Sequence, residues 1–565
     1  MSTEGRTRPD AELSATIQGY FAPWADNGNE HPRCRFPGRY FWLSRQLPLP
    51  DYHLREPRCR NLERWALFHT VRSVSLLLVS GYFGNPASTF GHAFLKLNTD
   101  SPDDQTGLFD MTLNYGALVP ENENALRYVI RGLFGGYEAG FSDKYFYTQD
   151  LVYSRTEFRD IWDYRLNLTD EERTLLILHI WEIAGKKFTY YFLDKNCAFR
   201  LGELLDLVLP EDLLGKRRRF WYVPVELFHR LQDMDRIRWA SGRDRLIRSV
   251  RFIPSSQRSL FHQLEMLTPE ELGVLNTILR EGGPSLSAHL ERLDKERQIM
   301  ILDGLLAYQQ YRLIAEEPTP DPQRKKFKDQ ILLQRLQLPS RPKAVIRIPE
   351  LPSPADGSRP LEWGLRLAVT AGGESFLRLN WSPFKQEVVG QNSLEGDELI
   401  VFDLAIGLFE DEQNIFVDQF DLIRILNLNT LTVPVADESP WSWQVRLGMD
   451  RHKEDDADRY DGVASFGVGR AHKWNETLTL YGMVDLAGHS LFPNIRLRPH
   501  LGMRWDFGRL RAWLYFGWQT SSYEGDISDV WGGKVQYSLG NRSSVHTEFS
   551  SEKAARASVG WNWYW

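Results

Sequence analysis

"WSWQVRLGMD", residues 441–450, places Trp441, Trp443, Val445, Leu447 and Met449 on one side of an extended chain and Ser442, Gln444, Arg446, Gly448 and Asp450 on the other. Successive side chains of a strand point to opposite faces, so this stretch reads as a strand with one apolar and one small or polar surface. The same period returns in "ELIVFDLAIGLF" (398–409), where Ile400, Phe402, Leu404, Ile406 and Leu408 share a face. It returns again in "RLRAWLYFGW" (509–518) with Leu510, Ala512, Leu514, Phe516 and Trp518. After residue 360 about a dozen such segments follow, each roughly 9–12 residues, the length of a tilted membrane-spanning strand. Polar loops such as "DRHKEDDADRYDG" (450–462) separate them.

A soluble sandwich alternates as well, so other features decide. The segments exceed the usual strand length of about five or six residues. Of the 19 tryptophans, 12 lie after residue 345, as the interfacial girdles of a barrel require. The chain ends in "RASVGWNWYW" (556–565), where Val559, Trp561, Trp563 and Trp565 share one face. A strand closing on an aromatic resembles the assembly signal of bacterial outer-membrane barrels. The expectation is an antiparallel transmembrane β-barrel of about 12 strands over 361–565, in the outer membrane, with a leader removed from the chain.

The 565 residues suit about two to four domains. Net charge is −7 and pI about 6.1, so there is no global attraction to nucleic acid. The basic runs "GKRRRF" (215–220) and "QRKKFK" (323–328) read as solvated faces or as contacts with anionic headgroups. No run of ~18 apolar residues is present for a spanning helix. Residues 1–65 look helical and aromatic, and 66–250 mix strands with helices. Within that stretch "VRSVSLLLVS" (71–80), "HAFLKLN" (92–98) and "LFDMTLNYGA" (108–117) read as strands. Residues 251–340 are helical, with a capping-box pattern in "TPEELGVLNTILREGG" (268–283); another, at Thr169/Glu172, opens a helix within 66–250. A proline-rich linker spans 341–360.

There are three cysteines. Cys34 and Cys59 either pair, which implies an oxidising compartment, or stay reduced; a periplasmic location favours the disulfide. Cys197 is different. In "DKNCAFRLGELLDLVL" (194–209) the apolar Leu201, Leu204, Leu205 and Val208 fall on one helical face, which puts Cys197 at a helix N-terminus. Unpaired amides and the positive dipole end there favour a thiolate and can hold an oxyanion. A buried structural cysteine is the plainer reading, but Asp194, Lys195 and Asn196 are polar company for it. His92 opens a strand after a loop containing Gly84, Pro86 and Gly91, and is the candidate base. Asn114 is the candidate to hold the other ring nitrogen, with Asp110 in reserve.

Histidine on a strand followed by cysteine at a helix start resembles the circularly permuted papain-like thiol enzymes, lecithin–retinol acyltransferase among them. "STFGHAFLKL" (88–97), "LNYGA" (113–117) and "DKNCAFRLGELL" (194–205) together resemble the Lnb-type periplasmic domain, named for a bacterial lipoprotein N-acyltransferase. The resemblance covers roughly 66–235. It implies an α+β, permuted papain-like catalytic domain with Cys197 as nucleophile and His92 as base, and it calls for no cofactor and no metal. Ser88, Gly91, Tyr115, Asn196 and Arg200 fall on motif positions and are candidates for oxyanion, substrate or supporting roles. In the Lnb enzymes helical spans follow the domain; here a helical insert and a barrel follow. The expected function is an outer-membrane cysteine acyltransferase acting on acyl esters of phospholipid or lipoprotein. The alternatives are a cysteine phospholipase, a peptidoglycan peptidase, or a non-catalytic channel or scaffold.

Overall fold

A computed structural model describes the chain apart from residues 1, 24–27, 49–56, 67–69, 84–87, 101–106, 121–122, 216–220, 316–318, 320, 341–347, 410–414, 432, 436–440, 455–456, 492–493, 522–526 and 552–555. It divides into two compact units, Met1–Ile253 and Pro254–Trp565.

The first unit is built on an antiparallel sheet of seven strands: β1 (Ser73–Val79), β2 (His92–Asn98), β3 (Met111–Ala117), β4 (Tyr137–Tyr145), β5 (Ile161–Leu166), β6 (Lys187–Tyr190) and β7 (Ile247–Ile253). Their order is β6-β4-β3-β2-β1-β5-β7. The central β1 and β2 are buried along nearly their whole length, as their unbroken apolar runs require. On one face Leu77, Val79, Phe94, Phe146 and Ile161 form a cluster. Helices Cys197–Asp206 and Pro224–Ala240 pack on the sheet, the second placing Phe228 5.0 Å from the Tyr164 ring. The Asp170–Ile183 helix starts at the expected capping box of Thr169 and Glu172. The N-terminal helices lean on it: Trp181 Nε1 donates to the Cys34 carbonyl at 2.8 Å, and the Arg39 amide donates to Glu182 at 2.8 Å. Cys34 and Cys59 form a disulfide, as the periplasmic reading favoured.

The second unit opens with helices from Ser256–Glu265 to Pro322–Leu336. The Pro269–Glu281 helix has its capping box at Thr268 and Glu271 and stops at Gly282, whose φ of +79° suits a residue without Cβ. No helix among the described residues is long and apolar enough to cross a membrane. Beyond them twelve antiparallel strands close into a barrel. The first, Glu362–Thr370, pairs with both the second, Ser375–Ser382, and the last, Arg556–Tyr564, while the second also pairs with Glu398–Phe409. A three-residue piece, Phe384–Gln386, continues the second strand in register beyond Pro383. Proline lacks the N–H that would carry the ladder through that point.

Alternation sorts the surfaces. In the first strand Trp363, Leu365, Leu367 and Val369 are exposed outside while Glu362 and Arg366 are buried within. Val559, Trp561, Trp563 and Trp565 face outward at the C-terminus. One expectation is corrected here. Ile400 does not share the outer face with Leu404, Ile406 and Leu408: it is fully buried and pairs with Lys385 and Arg424, both ion-paired in the lumen. Phe402 lies between, at φ +56° and outside the ladder, and breaks the alternation.

Candidate active site

Cys197 is the first residue of its helix and is buried, 2% exposed. Asn196 makes that position. Its Oδ1 accepts from the Phe199 amide at 3.2 Å, which caps the helix, and its Nδ2 donates to the carbonyls of Phe192 (3.0 Å) and Tyr222 (2.6 Å). Every polar atom of the Asn196 amide is thus spent on holding the helix start. Its role is positioning.

The ladder between β2 and β3 pairs only Leu95–Leu97 with Met111–Leu113. Ahead of Leu95 the strands are no longer paired, and here the Cys197 helix packs against both. Cys197 lies with Tyr115 and Ala139 in one cluster, flanked by Phe141, Phe188 and Tyr190. Burial pushes the Cys197 thiol up to about 11, against the pull of the backbone amides of Ala93, Ala198 and Cys197 itself and of the Arg159 charge. The helix start does favour the thiolate, as expected, but loss of solvent outweighs it. At rest the sulfur is a thiol.

His92 pairs with Val79 of β1 and opens β2. Its Nε2 lies 2.7 Å from Oδ1 of Asn114, and Asn114 Nδ2 donates to the Tyr153 hydroxyl at 3.3 Å. With Asn114 already donating through nitrogen, its oxygen must accept, so Nε2 carries the ring proton and Nδ1 presents a lone pair. Burial, and after it the Arg159 charge, bring His92 down to about 4 against the upward pull of the Asn114 bond, so the ring is neutral. Among the described residues no hydrogen bond joins His92 to Cys197; the nearest link in the chain is Ala93, whose amide acts on the sulfur.

The remaining candidates separate by role. The Ser88 carbonyl accepts from the amides of Tyr82 and Gly91, both at 3.0 Å, and shapes the turn before His92. Gly91 has φ +87°, and a Cβ there would meet the Val79 carbonyl at 2.9 Å. Tyr115 walls the sulfur, with its ring tilted against that of Phe141 at a centroid distance of 4.9 Å. Arg200 Nη1 bonds Glu203 at 2.7 Å while its guanidinium lies 4.7 Å from the centre of the Phe188 ring. Asp110, the reserve for Asn114, does not join the site: its Oδ1 holds the amide and hydroxyl of Thr99, just past the far end of β2. Gly84 and Pro86 lie outside the described residues, as do five of the six residues of "GKRRRF".

Two site residues carried no sequence signal. Tyr153 sits on a π-helical turn, Leu151–Thr156, with its ring 5.4 Å from that of His92. Arg159 follows it, buried at 1% exposure. Single π turns gather at functional sites, but "LVYSRT" has no pattern that distinguishes it from an ordinary helical turn.

Residues 61–233 match the Lnb N-terminal periplasmic domain. The helix start, the His92–Asn114 pair and the three motifs all fall inside that match. Residues 351–564 match a domain of unknown function (DUF7840), and residues 1–46 match another (DUF7843). No curated protein matches the chain. Among solved structures, a mutant of the Rh. blastica porin is similar at 12% identity, with 37% of this chain and 100% of that chain covered and a TM-score of 0.18. The NanC porin gives 9% identity, 36% and 99% coverage and a TM-score of 0.22. An anion-selective porin from Comamonas acidovorans gives 9% identity, 37% and 98% coverage and a TM-score of 0.20. The Lnb periplasmic match and a closed barrel with an apolar exterior support an outer-membrane location.

Proposed function

We infer that the chain is an outer-membrane-anchored cysteine acyltransferase acting on the acyl esters of phospholipid or lipoprotein. The observation that carries this reading is the His92–Asn114–Tyr153 relay, which leaves Nδ1 as the basic nitrogen beside a strand whose next residue acts on the Cys197 sulfur. A neutral thiol and a neutral imidazole suit general-base attack rather than a preformed ion pair.

Sγ of Cys197 gives its proton to Nδ1 of His92 as sulfur bonds the ester carbonyl carbon, and the carbonyl π pair moves onto oxygen. The amides of Cys197 and Ala198, first-turn groups with no partner inside the helix, are the donors for that oxyanion. Collapse breaks the ester C–O bond, and the alkoxide leaves with the proton from His92, giving a thioester. An amine or hydroxyl then attacks, His92 takes its proton, and the C–S bond breaks to restore the thiol. The barrel tethers this chemistry to a membrane, where acyl lipids are concentrated.

The test is transfer or release of a labelled acyl chain from phospholipid vesicles by the full chain. Cys197→Ala should abolish it, and His92→Gln should lower it by about 10²–10⁴-fold, the usual contribution of general-base catalysis. Equal turnover by wild type and Cys197→Ala would reject the reading.

A further inference from the structure

Arg159 stands outside every motif, yet it is the charged group most deeply set into this site. Its Nε donates to the Ser80 carbonyl at 2.6 Å and its Nη1 to Glu157 at 2.8 Å. Nη2 is buried and has no partner among the described residues. A buried guanidinium N–H left unpaired is costly, and such groups in native proteins call for a reason. The guanidinium carbon lies 5.1 Å from the centre of the Tyr153 ring, the same ring that flanks His92 and whose hydroxyl takes the Asn114 N–H. The backbone leading to it is irregular: the π turn ends at Thr156, and Phe158, directly before Arg159, stands at φ +55°. A bulky residue in the left-handed region is strained, and strain of this kind collects where a side chain must be held in one place.

We propose that Arg159 supplies the fixed positive charge of the site, balancing the negative charge that develops on the Cys197 sulfur and then on the acyl oxygen during attack. At rest the thiol and imidazole are both neutral, so the guanidinium, with both N–H groups of Nη2 unspent, is paired among the described residues only with Glu157. When the proton moves to His92 and charge passes through sulfur to oxygen, the guanidinium gains its counterpart. The Arg159 charge already lowers the titration of His92, Tyr153 and Cys197 together, which places it within electrostatic reach of all three. The other charged or titratable groups around the sulfur are His92 on β2, Tyr115 on β3, Tyr190 at the end of β6 and Tyr153 on the π turn, with the Arg200–Glu203 pair beyond Tyr115. Arg200 also keeps a buried Nε without a partner among the described residues, but its charge is paired with Glu203 at 2.7 Å and its side chain is 16% exposed against 1% for Arg159. This inference rests on Cys197 being the nucleophile of the proposed function but not on which ester it attacks.

The test is the rate of alkylation of Cys197 by iodoacetamide against pH, on the full chain in detergent micelles. Cys197 is the one free cysteine, so the label reports it alone. In Arg159→Gln the pH at half-maximal rate should rise by about one unit, a tenfold loss of thiolate at fixed pH. Arg159→Lys should recover part of the shift, and Glu157→Gln, which removes the neutralising carboxylate, should move it the opposite way. A purely structural role would not give opposite shifts. Superposed profiles for folded wild type and Arg159→Gln would overturn the proposal, as would a Glu157→Gln shift in the same direction as Arg159→Gln. If Arg159→Gln does not fold, Glu157→Gln decides: a downward shift supports the charge role, and no shift or an upward one rejects it. The expected shifts in a chain that never accepts an acyl group would keep the role of Arg159 and sink the proposed function alone.

Discussion

Asn114 decides which nitrogen of His92 is left free, and it does so through a bond made on its other side. Tyr153 takes the Asn114 N–H, which turns Oδ1 toward Nε2 and leaves Nδ1 bare. Asn114→Ala should leave the chain folded while cutting acyl turnover, and Tyr153→Phe should have a smaller effect in the same direction; steady-state rates check both. His92 titrates at about 4 instead of its ordinary 6.5, so the neutral ring is the form the fold accommodates. Stability should therefore be complete above about pH 6.5 and fall as pH drops toward 4, by at most about 3 kcal/mol and less where the ring edge meets solvent. His92→Gln should flatten that acid loss in the first unit, read by pulse proteolysis between pH 4 and 7. At Asn196 the cost is different in kind. Asn196→Ala removes a helix cap and strands two buried carbonyls, and should destabilise the first unit by roughly 2–4 kcal/mol.

At the scale of elements, the candidate site sits where regular pairing stops. β2 and β3 separate ahead of Leu95, and the helix start enters at that point. The barrel uses a similar break at Pro383 and Phe402. Beyond Gln386 the chain turns into the lumen, where Lys534 meets Glu387 at 2.6 Å and Arg504 donates to the Val388 carbonyl at 2.8 Å. Arg511 donates to the Ser393 carbonyl at 3.0 Å, so residues 387–393 are tied to the wall from several strands. Around them Arg446 joins Asp421 at 2.7 Å and Asp450 at 2.6 Å, and Arg378 joins Asp418 at 2.9 Å. A lumen so filled should conduct poorly in planar bilayers, and the double substitution Arg504→Gln with Lys534→Gln should raise the unit conductance. An unchanged, large conductance in both would show that this segment does not obstruct the pore. Sequence patterns reach these elements unevenly. The apolar runs of β1 and β2 and the outer faces of the barrel strands are legible because burial demands them. β4 and β7 are largely exposed, β6 has four residues, and none of them carries a decisive period.

Across the whole molecule the two units answer to different physics. The first depends on an ordinary core plus the Cys34–Cys59 bridge, which closes a loop with a sequence separation of 25. Loop closure of that size contributes about 3 kcal/mol, so a reductant should lower the unfolding transition of the first unit and leave the barrel transition in place; differential scanning calorimetry with and without dithiothreitol separates them. The barrel is held by a closed ladder and a charged lumen, and is indifferent to thiols. The start of the barrel, inside the second unit, was readable in the sequence because period two and tryptophan density change abruptly after residue 360. The site was readable as far as Cys197, His92 and Asn114, each a chemically distinctive residue in a motif. Tyr153 and Arg159 were not, since a π turn and an unpaired guanidinium N–H exist only once β1, β2 and β5 are assembled.

The central claim is that Cys197 carries an acyl group, and peptide-level mass spectrometry after incubation with phospholipid vesicles reads it directly. The expected result is a fatty-acyl mass on the peptide containing Cys197, labile to hydroxylamine and absent from Cys197→Ala. A Cys197 peptide that stays unmodified while the labelled lipid is turned over, or no turnover with Cys197 reactive only toward small alkylating agents, would contradict it.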